Sequence, residues 1–86
     1  MAMRLTIYSP ERTVYDGEVT LVELPGSKGR FEVLRGHDAL ISTLTAGHIR
    51  YVSAPDGQET RQPVAGGYAE VRDDRIAACV TLPRPS

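Results

Sequence analysis

The sequence predicts an all-β domain, and three observations support that prediction. Short runs such as residues 5–8 alternate apolar and polar side chains, which is the period of a half-buried strand. Turn-forming residues separate these runs every eight to twelve residues or so, which is typical of an all-β sandwich or barrel. A helix is a competing interpretation in only one stretch, residues 38–47.

The bulk composition fits one small domain. The 86 residues suffice for a single core, which we expect over residues 1–82, with a disordered, proline-containing tail at 83–86. A net charge of −1 with well-mixed signs argues against nucleic acid as the main partner. No apolar run approaches the roughly 20 residues that span a bilayer. The single cysteine, Cys79, suits a reducing compartment, and residues 1–4 lead directly into a strand pattern, so we expect no targeting peptide.

The first strands follow from alternation, with one irregularity. Leu5 and Ile7 point inward in the first strand, and a second strand covers residues 13–24. Asp16-Gly17 is either a hairpin turn or a bulge within that second strand. Apolar residues at positions 19, 21, 22 and 24 break strict alternation. Either the strand is bulged there, or one apolar side chain faces outward.

The stretch 24–44 holds three glycines and a proline, which indicate abrupt chain reversals. We interpret it as a rigid, exposed connection that presents residues to a partner. Within it, residues 30–34 form a short strand with Arg30 and Glu32 facing outward. Residues 38–47 fit a short helix or an extended segment, and their β-branched and hydroxyl side chains favour the extended form.

The second half of the chain indicates paired strands joined by tight turns. Residues 47–52 and 59–64 flank a predicted hairpin turn at 55–57. The pair Gly66-Gly67 marks a flexible point or a close approach of two backbones before the next strand. Asp73-Asp74 fits a two-residue hairpin turn, because aspartate tolerates positive φ, and the last strand runs over 75–82.

The motifs of catalysis and cofactor binding are incomplete, so we predict no catalytic, cofactor or metal site. The loop around Lys28 lacks the spacing of a phosphate-binding loop. His37 and His48 are not spaced like a metal pair, and one cysteine cannot complete a zinc set. No serine lies in a G-x-S-x-G elbow. His37 is either a loop imidazole hydrogen-bonded to its neighbours or a contact to a partner.

Eight short motifs in sequence order carry a family resemblance: SPER (9–12), GEV (17–19), LPG (24–26), GxF (29–31), GH (36–37), Leu40, GxI (47–49) and GGYxEV (66–71). Together they resemble the N-terminal domain of the ε subunit of F-type ATP synthases. The resemblance runs from residue 4 to about residue 82. It implies an all-β fold, a β-sandwich of about ten strands in two packed antiparallel sheets.

The resemblance also implies a function. The chain would be a non-catalytic rotor subunit of the central stalk, coupling the γ shaft to the c-ring, with no cofactor of its own. It would lie at the cytoplasmic face of the inner (plasma) membrane, peripherally, within the F1 sector. Catalysis would belong to the β subunits of the α3β3 head. The runner-up is a free-standing β-sandwich that binds a peptide or sugar, and a small hydrolase comes third.

Matching the family's motifs residue by residue gives contact candidates. Lys28, Arg30 and His37 fall in the segment that resembles the ring-facing loop, and Ser9 and Ser42 match the γ-facing side. Three positions depart from the family pattern, all adding charge to that loop: Arg30, Glu32 in place of Gly, and Arg35 in place of Pro. The family usually continues into a two-helix C-terminal domain with an inhibitory role. We expect none here, in either a naturally short form or a shortened chain.

Overall fold

The computed structural model describes residues 2–84, and this part of the chain is built from β-strands alone. Its eight strands are β1 (Met3–Tyr8), β2 (Thr13–Gly26), β3 (Gly29–Val33), β4 (Leu40–Leu44), β5 (Gly47–Ser53), β6 (Glu59–Val64), β7 (Gly66–Arg72) and β8 (Arg75–Thr81). The predicted all-β class is therefore confirmed. The extended interpretation of residues 38–47 is confirmed as well, because β4 lies within them.

The long strand β2 belongs to both layers of the fold. Its first half pairs with β1, while its second half pairs with β5 on one side and β3 on the other. The eight strands form one continuous sheet that folds into two layers, β6-β5-β2-β3 and β2-β1-β8-β7-β4. The end of β2 also pairs with β4, through Gly26 and Leu44. The strand passes through Asp16-Gly17 without a hairpin, and its pairing register shifts between Val19 and Leu21. This bulge lets Val19 and Val22 both face the core, which explains the broken alternation.

The described residues hold eight strands, close to the expected number of about ten, and β2 serves both layers as one 14-residue strand. One detail of the expected sandwich needs correction. The sheet is mixed, not purely antiparallel, because β1 pairs with β8 in parallel. These are the first and last strands of the chain. No hairpin joins them, so the connectivity does not force them to run antiparallel.

The core lies between the two layers and is made by the inward-facing half of each strand. Leu5 and Ile7 are fully buried, as alternation predicted. Full burial of such a side chain stabilises the fold by about 1.5–3 kcal/mol. Tyr51 on β5 belongs to the other layer, and its ring packs on the ring of Tyr15 with a centroid distance of 4.4 Å. Other side chains with no exposed surface come from five of the strands: Val19, Val22, Leu24, Val33, Ile49, Ala69 and Ala78.

The turns follow their sequence signals. Asp73 and Asp74 have φ values of 52° and 60° and join β7 to β8 as a two-residue turn, which confirms the prediction. Residues 54–56 form the predicted turn between β5 and β6. At Gly67 the close-approach interpretation holds, since a Cβ there would overlap the carbonyl oxygen of Cys79 on β8. Residues 83–84 carry no strand, and the rest of the expected tail, 85–86, lies outside the described residues.

Candidate docking surfaces

A stripe of apolar and aromatic side chains crosses the outer face of the layer that contains β4. Ile41 on β4 and Tyr68 on β7 are 74% and 51% exposed. Tyr68 pairs with Thr43, and Ile41 pairs with Glu70, so Ile41 and Tyr68 are diagonal neighbours within reach of each other. The stripe continues through Cys79 on β8 to Tyr8 on β1, because Tyr68 pairs with Cys79 and Cys79 with Tyr8. We call Tyr8, Ile41, Tyr68 and Cys79 the four-strand face.

One charged side chain lies beside the four-strand face. Glu70 is exposed and is the cross-strand partner of Ile41, so its carboxylate is on the same side of the sheet. The Cys79 thiol, and then the Tyr8 hydroxyl, raise the pKa of Tyr68 above its ordinary value of 10.0. The apolar and aromatic side chains of the face are of the kind that buries well against a partner protein.

Ser9 and Ser42 flank this face at its two outer strands. Ser9 follows Tyr8 at the end of β1 and is 6% exposed. Its hydroxyl accepts hydrogen bonds from the N–H groups of Glu11 and Arg12, both at 3.3 Å, and so orders the turn into β2. The Ser42 hydroxyl donates to the Thr43 carbonyl at 3.0 Å. Both hydroxyls thus serve local structure, while the face beside them is formed by their chain neighbours.

The turn between β2 and β3 presents Lys28 at a fixed position. The Ser27 N–H donates to the Thr43 carbonyl at 3.0 Å, and the Thr45 N–H donates to the Pro25 carbonyl at 2.8 Å. These backbone bonds attach the turn to the end of β4. Lys28 is exposed at its tip and makes no ion pair within residues 2–84.

Arg30, by contrast, is held by an acidic partner. Its guanidinium contacts Glu23 Oε1 at 2.9 Å, and the same oxygen lies 3.4 Å from Arg50 Nε. Arg50 in turn contacts Glu59 at 3.3 Å, so opposite charges alternate across β3, β2, β5 and β6. The hydrogen bond from Arg30 is the main reason that the pKa of Glu23 lies below its ordinary value of 4.5.

The predicted contact residues lie in three places, one of which is the end of β1, where Ser9 lies. Lys28, Arg30 and Ser42 line one shallow depression, so the structure brings together residues that the sequence had assigned to different partners. His37 is half-buried in the loop 34–39, with Nδ1 2.7 Å from the carbonyl oxygen of Asp38. This loop lies at the opposite end of β3, which separates His37 from Lys28 by about 15 Å of strand.

Sequence reasoning missed three residues of these surfaces. Ile41 was counted among the β-branched residues that favour an extended segment, but not as a surface residue, although alternation with Leu40 and Leu44 turns it outward in a strand. Tyr68 belongs to a recognised motif, but nothing local showed its neighbours. Asp74 was recognised as a turn residue, yet its carboxylate also reaches the loop 34–39, accepting the Gly36 N–H at 2.7 Å.

The described residues contain neither a cluster of metal-binding side chains nor a helix that could span a membrane. Within residues 2–84, no three His, Cys, Asp or Glu side chains converge as a metal site would require. The same residues include no helix of the length and apolarity needed to cross a membrane.

Comparison with known proteins gives consistent matches. Residues 2–81 match the family model described as ATP synthase, Delta/Epsilon chain, beta-sandwich domain. The chain is 36% identical to the ATP synthase epsilon chain of Synechococcus sp. (strain RCC307), over 100% of its own length and 62% of that relative's. It therefore spans less than two thirds of that relative. It is 35% identical to the ATP synthase epsilon chain of Chlorobium limicola, over 86% of its length and 83% of the relative's.

A solved structure shows the same fold. A chain of the Euglena gracilis mitochondrial ATP synthase complex of OSCP, F1 and c-ring superposes with a TM-score of 0.82 at 20% identity. The match covers 92% of this chain and 50% of that one. At this identity, the similarity demonstrates the shared architecture alone.

Proposed function

We propose that this chain, which belongs to the β-sandwich family of ATP synthase delta and epsilon chains, is a non-catalytic subunit of the central stalk. In this role it couples the γ shaft to the c-ring. It lies peripherally at the cytoplasmic face of the inner (plasma) membrane, as part of the F1 sector. The observation that carries the proposal is that two of the three exposed large apolar side chains among the described residues, Ile41 and Tyr68, are neighbours on adjacent strands.

The four-strand face is the proposed γ-binding surface. Large apolar side chains rarely stay exposed side by side on adjacent strands unless something covers them. Tyr68 and Ile41 offer an aromatic and an aliphatic anchor, and such residues dominate binding energy when a partner buries them. Ser9 and Ser42, the sequence candidates for this contact, flank the face and hold the backbone beneath it.

The β2–β3 turn is the proposed ring-facing surface, with the loop 34–39 as a second contact. Lys28 offers a cation without an ion pair in the described residues, at the tip of a turn fixed by backbone hydrogen bonds. Arg30 reaches the same depression but is shared with Glu23. His37 contributes from the other end of β3. Polar loops of the c subunits are the proposed partners of all three residues.

Ile41→Asp tests the γ-binding surface, and Leu34→Asp is its matched control. Leu34 is also an exposed aliphatic side chain, at 48%, but it lies outside the four-strand face. We expect Ile41→Asp to weaken binding to purified γ at least tenfold, about 1.4 kcal/mol. The reason is that the substitution places a carboxylate where the complex would bury an apolar side chain. Leu34→Asp should bind like the wild type. Equal binding by both variants would exclude this surface, and a wild-type chain that ignores γ would favour the free-standing binding module.

Lys28→Glu tests the ring-facing surface more cleanly than a reversal at Arg30. Arg30→Glu would place a carboxylate beside Glu23 and disturb the sheet itself, whereas Lys28 has no such partner in the described residues. In complexes reassembled with this chain, we expect Lys28→Glu to lower proton-coupled ATP synthesis without changing the melting temperature. Unchanged synthesis would argue against the ring-facing assignment.

A further inference from the structure

The loop 34–39 contains a turn that only one of its two central residues favours. The His37 N–H donates to the Leu34 carbonyl at 3.1 Å, which closes a four-residue β-turn. Gly36, its third residue, has a φ of +84°, as a type II turn requires. Proline is favoured at the second position of this turn because its ring fixes φ in advance. Arg35 occupies that position here, so Gly36 alone supplies the local preference for the turn.

One side chain from a distant turn supplies what the loop lacks. The Gly36 N–H donates to Asp74 Oδ1 at 2.7 Å, between residues 38 positions apart. A hydrogen bond to an ionised carboxylate is shorter and stronger than one between neutral groups. Among the hydrogen bonds of residues 2–84, it is the only one that connects the loop 34–39 to another part of the chain.

Asp74 is itself fixed in place by backbone geometry. It lies in the turn between β7 and β8 with a φ of 60°, and its carbonyl accepts the Arg4 N–H from β1 at 3.0 Å. Its position is therefore set by three strands of the layer that carries the four-strand face. Asp73, its neighbour in the turn, points elsewhere and contacts Arg72 at 3.6 Å.

We propose that Asp74 is the positioning residue that ties the loop 34–39, and His37 within it, to the β1–β8–β7–β4 layer. This inference rests on the proposed function, because it links the second ring-facing contact to the layer that binds γ. A loop that transmits torque must not move relative to the layer behind it. The loop enters β4 of that layer at Leu40, and the Asp74 carboxylate holds the preceding part of the loop by one hydrogen bond at Gly36, whereas the β2–β3 turn is attached by backbone bonds.

Four variants separate the carboxylate from the turn that carries it. Asp74→Gly keeps a residue that tolerates positive φ but removes the acceptor. Asp74→Asn keeps both the backbone preference and an acceptor oxygen. Asp73→Gly is the matched control, since it changes the same turn and leaves the hydrogen bond between Gly36 and Asp74 intact. Arg35→Pro, added to Asp74→Gly, restores turn preference from within the loop; the Arg35 N–H makes no hydrogen bond in the described residues.

Amide hydrogen exchange of Gly36, measured in the whole chain, tests the hydrogen bond between Gly36 and Asp74 directly. Asp74→Gly should accelerate exchange at Gly36 about tenfold, which corresponds to about 1.4 kcal/mol. Asp74→Asn should stay within about threefold of wild type, and Asp73→Gly should leave Gly36 unchanged. Unchanged exchange in Asp74→Gly, or an equal acceleration in Asp73→Gly, would overturn the proposal.

Coupling in complexes reassembled with this chain tests the functional consequence. Asp74→Gly should lower ATP-driven proton pumping per ATP hydrolysed while binding to γ stays at the wild-type level, and adding Arg35→Pro should restore pumping. If Asp74→Gly accelerates exchange at Gly36 but leaves proton pumping per ATP at the wild-type level, the positioning role is overturned. A wild-type chain that neither binds γ nor restores coupling would instead refute the proposed function, and the exchange result at Gly36 would still stand on its own.

Discussion

Replacing Gly67 with alanine tests how closely β7 and β8 approach each other. A Cβ on Gly67 would overlap the carbonyl oxygen of Cys79 and lie 2.8 Å from the Cα atom of Val80. Both are backbone atoms of the neighbouring strand, so no side-chain rotation can relieve the overlap. Gly67 also has a φ of +143°, a conformation that other residues rarely adopt. Alanine at this position therefore meets two separate penalties.

The adjacent Gly66 isolates one of those penalties. It has a φ of +152°, but the nearest atom to its Cβ would be the Leu44 carbonyl oxygen at 3.5 Å, an ordinary contact. Gly66→Ala therefore costs only the backbone strain, about 1–3 kcal/mol. Gly67→Ala adds an overpacking term of about 1–3 kcal/mol. Its total of about 2–6 kcal/mol is a large fraction of a small domain's stability.

Thermal unfolding followed by far-UV circular dichroism measures the difference. In a domain of this size, 1 kcal/mol shifts the melting temperature by about 4–8 °C. We expect Gly67→Ala to melt at least about 4 °C below Gly66→Ala, or not to fold at all while Gly66→Ala folds. Two variants with the same melting temperature would show that the strands do not approach as closely as described.

The other predictions concern the core and the charged sheet. Ile49→Val should lower the free energy of unfolding by about 0.5–1.5 kcal/mol, because Ile49 is fully buried. Ile41→Val, at an exposed site, should leave the urea unfolding curve unchanged. Equal losses in the two variants would contradict the burial assignment. The Glu23 pKa is lowered, so the stability that Glu23 contributes is present above its ordinary value of 4.5 and is lost as the pH falls through the lowered pKa. Glu23→Gln should therefore flatten the acid limb of melting temperature against pH, and an unaltered acid limb would show that the contacts of Glu23 with Arg30 and Arg50 contribute nothing.

Much of the fold was predictable because its signals are local. Alternation in residues 5–8 placed Leu5 and Ile7 inward, and both are fully buried. The Asp73-Asp74 turn followed from the tolerance of aspartate for positive φ. These features depend on a few consecutive residues, and no distant contact overrides them.

Pairing between distant strands was not predictable in the same way. The parallel β1–β8 pair joins the two ends of the chain, and no local pattern records which strands will be neighbours. The shared role of β2 was hidden for a related reason. The bulge between Val19 and Leu21 looked the same in sequence as one outward apolar residue, and only the pairing with β5 distinguishes the two.

The candidate surfaces were partly predictable. The exposure of Arg30 followed from alternation, and the prominence of Lys28 followed from its place in a glycine-rich turn. Their separation from His37 did not, because the stretch from Lys28 to His37 is continuous in sequence but spans both ends of β3. The link from Gly36 to Asp74 crosses 38 positions and leaves no mark in either local pattern.

The residues alone indicated most of the strands, the turns and the family resemblance, since periodicity and turn chemistry act over a few neighbours, but they left Asp16-Gly17 and residues 38–47 open. Side-chain period tells which side of its own strand a residue occupies, but not which residues lie beside it on the next strand. That information resides in the register between strands, where Tyr8, Cys79 and Tyr68 align across β1, β8 and β7. Only the tertiary structure therefore revealed the four-strand face, because strand pairing brings together residues that are far apart in the chain.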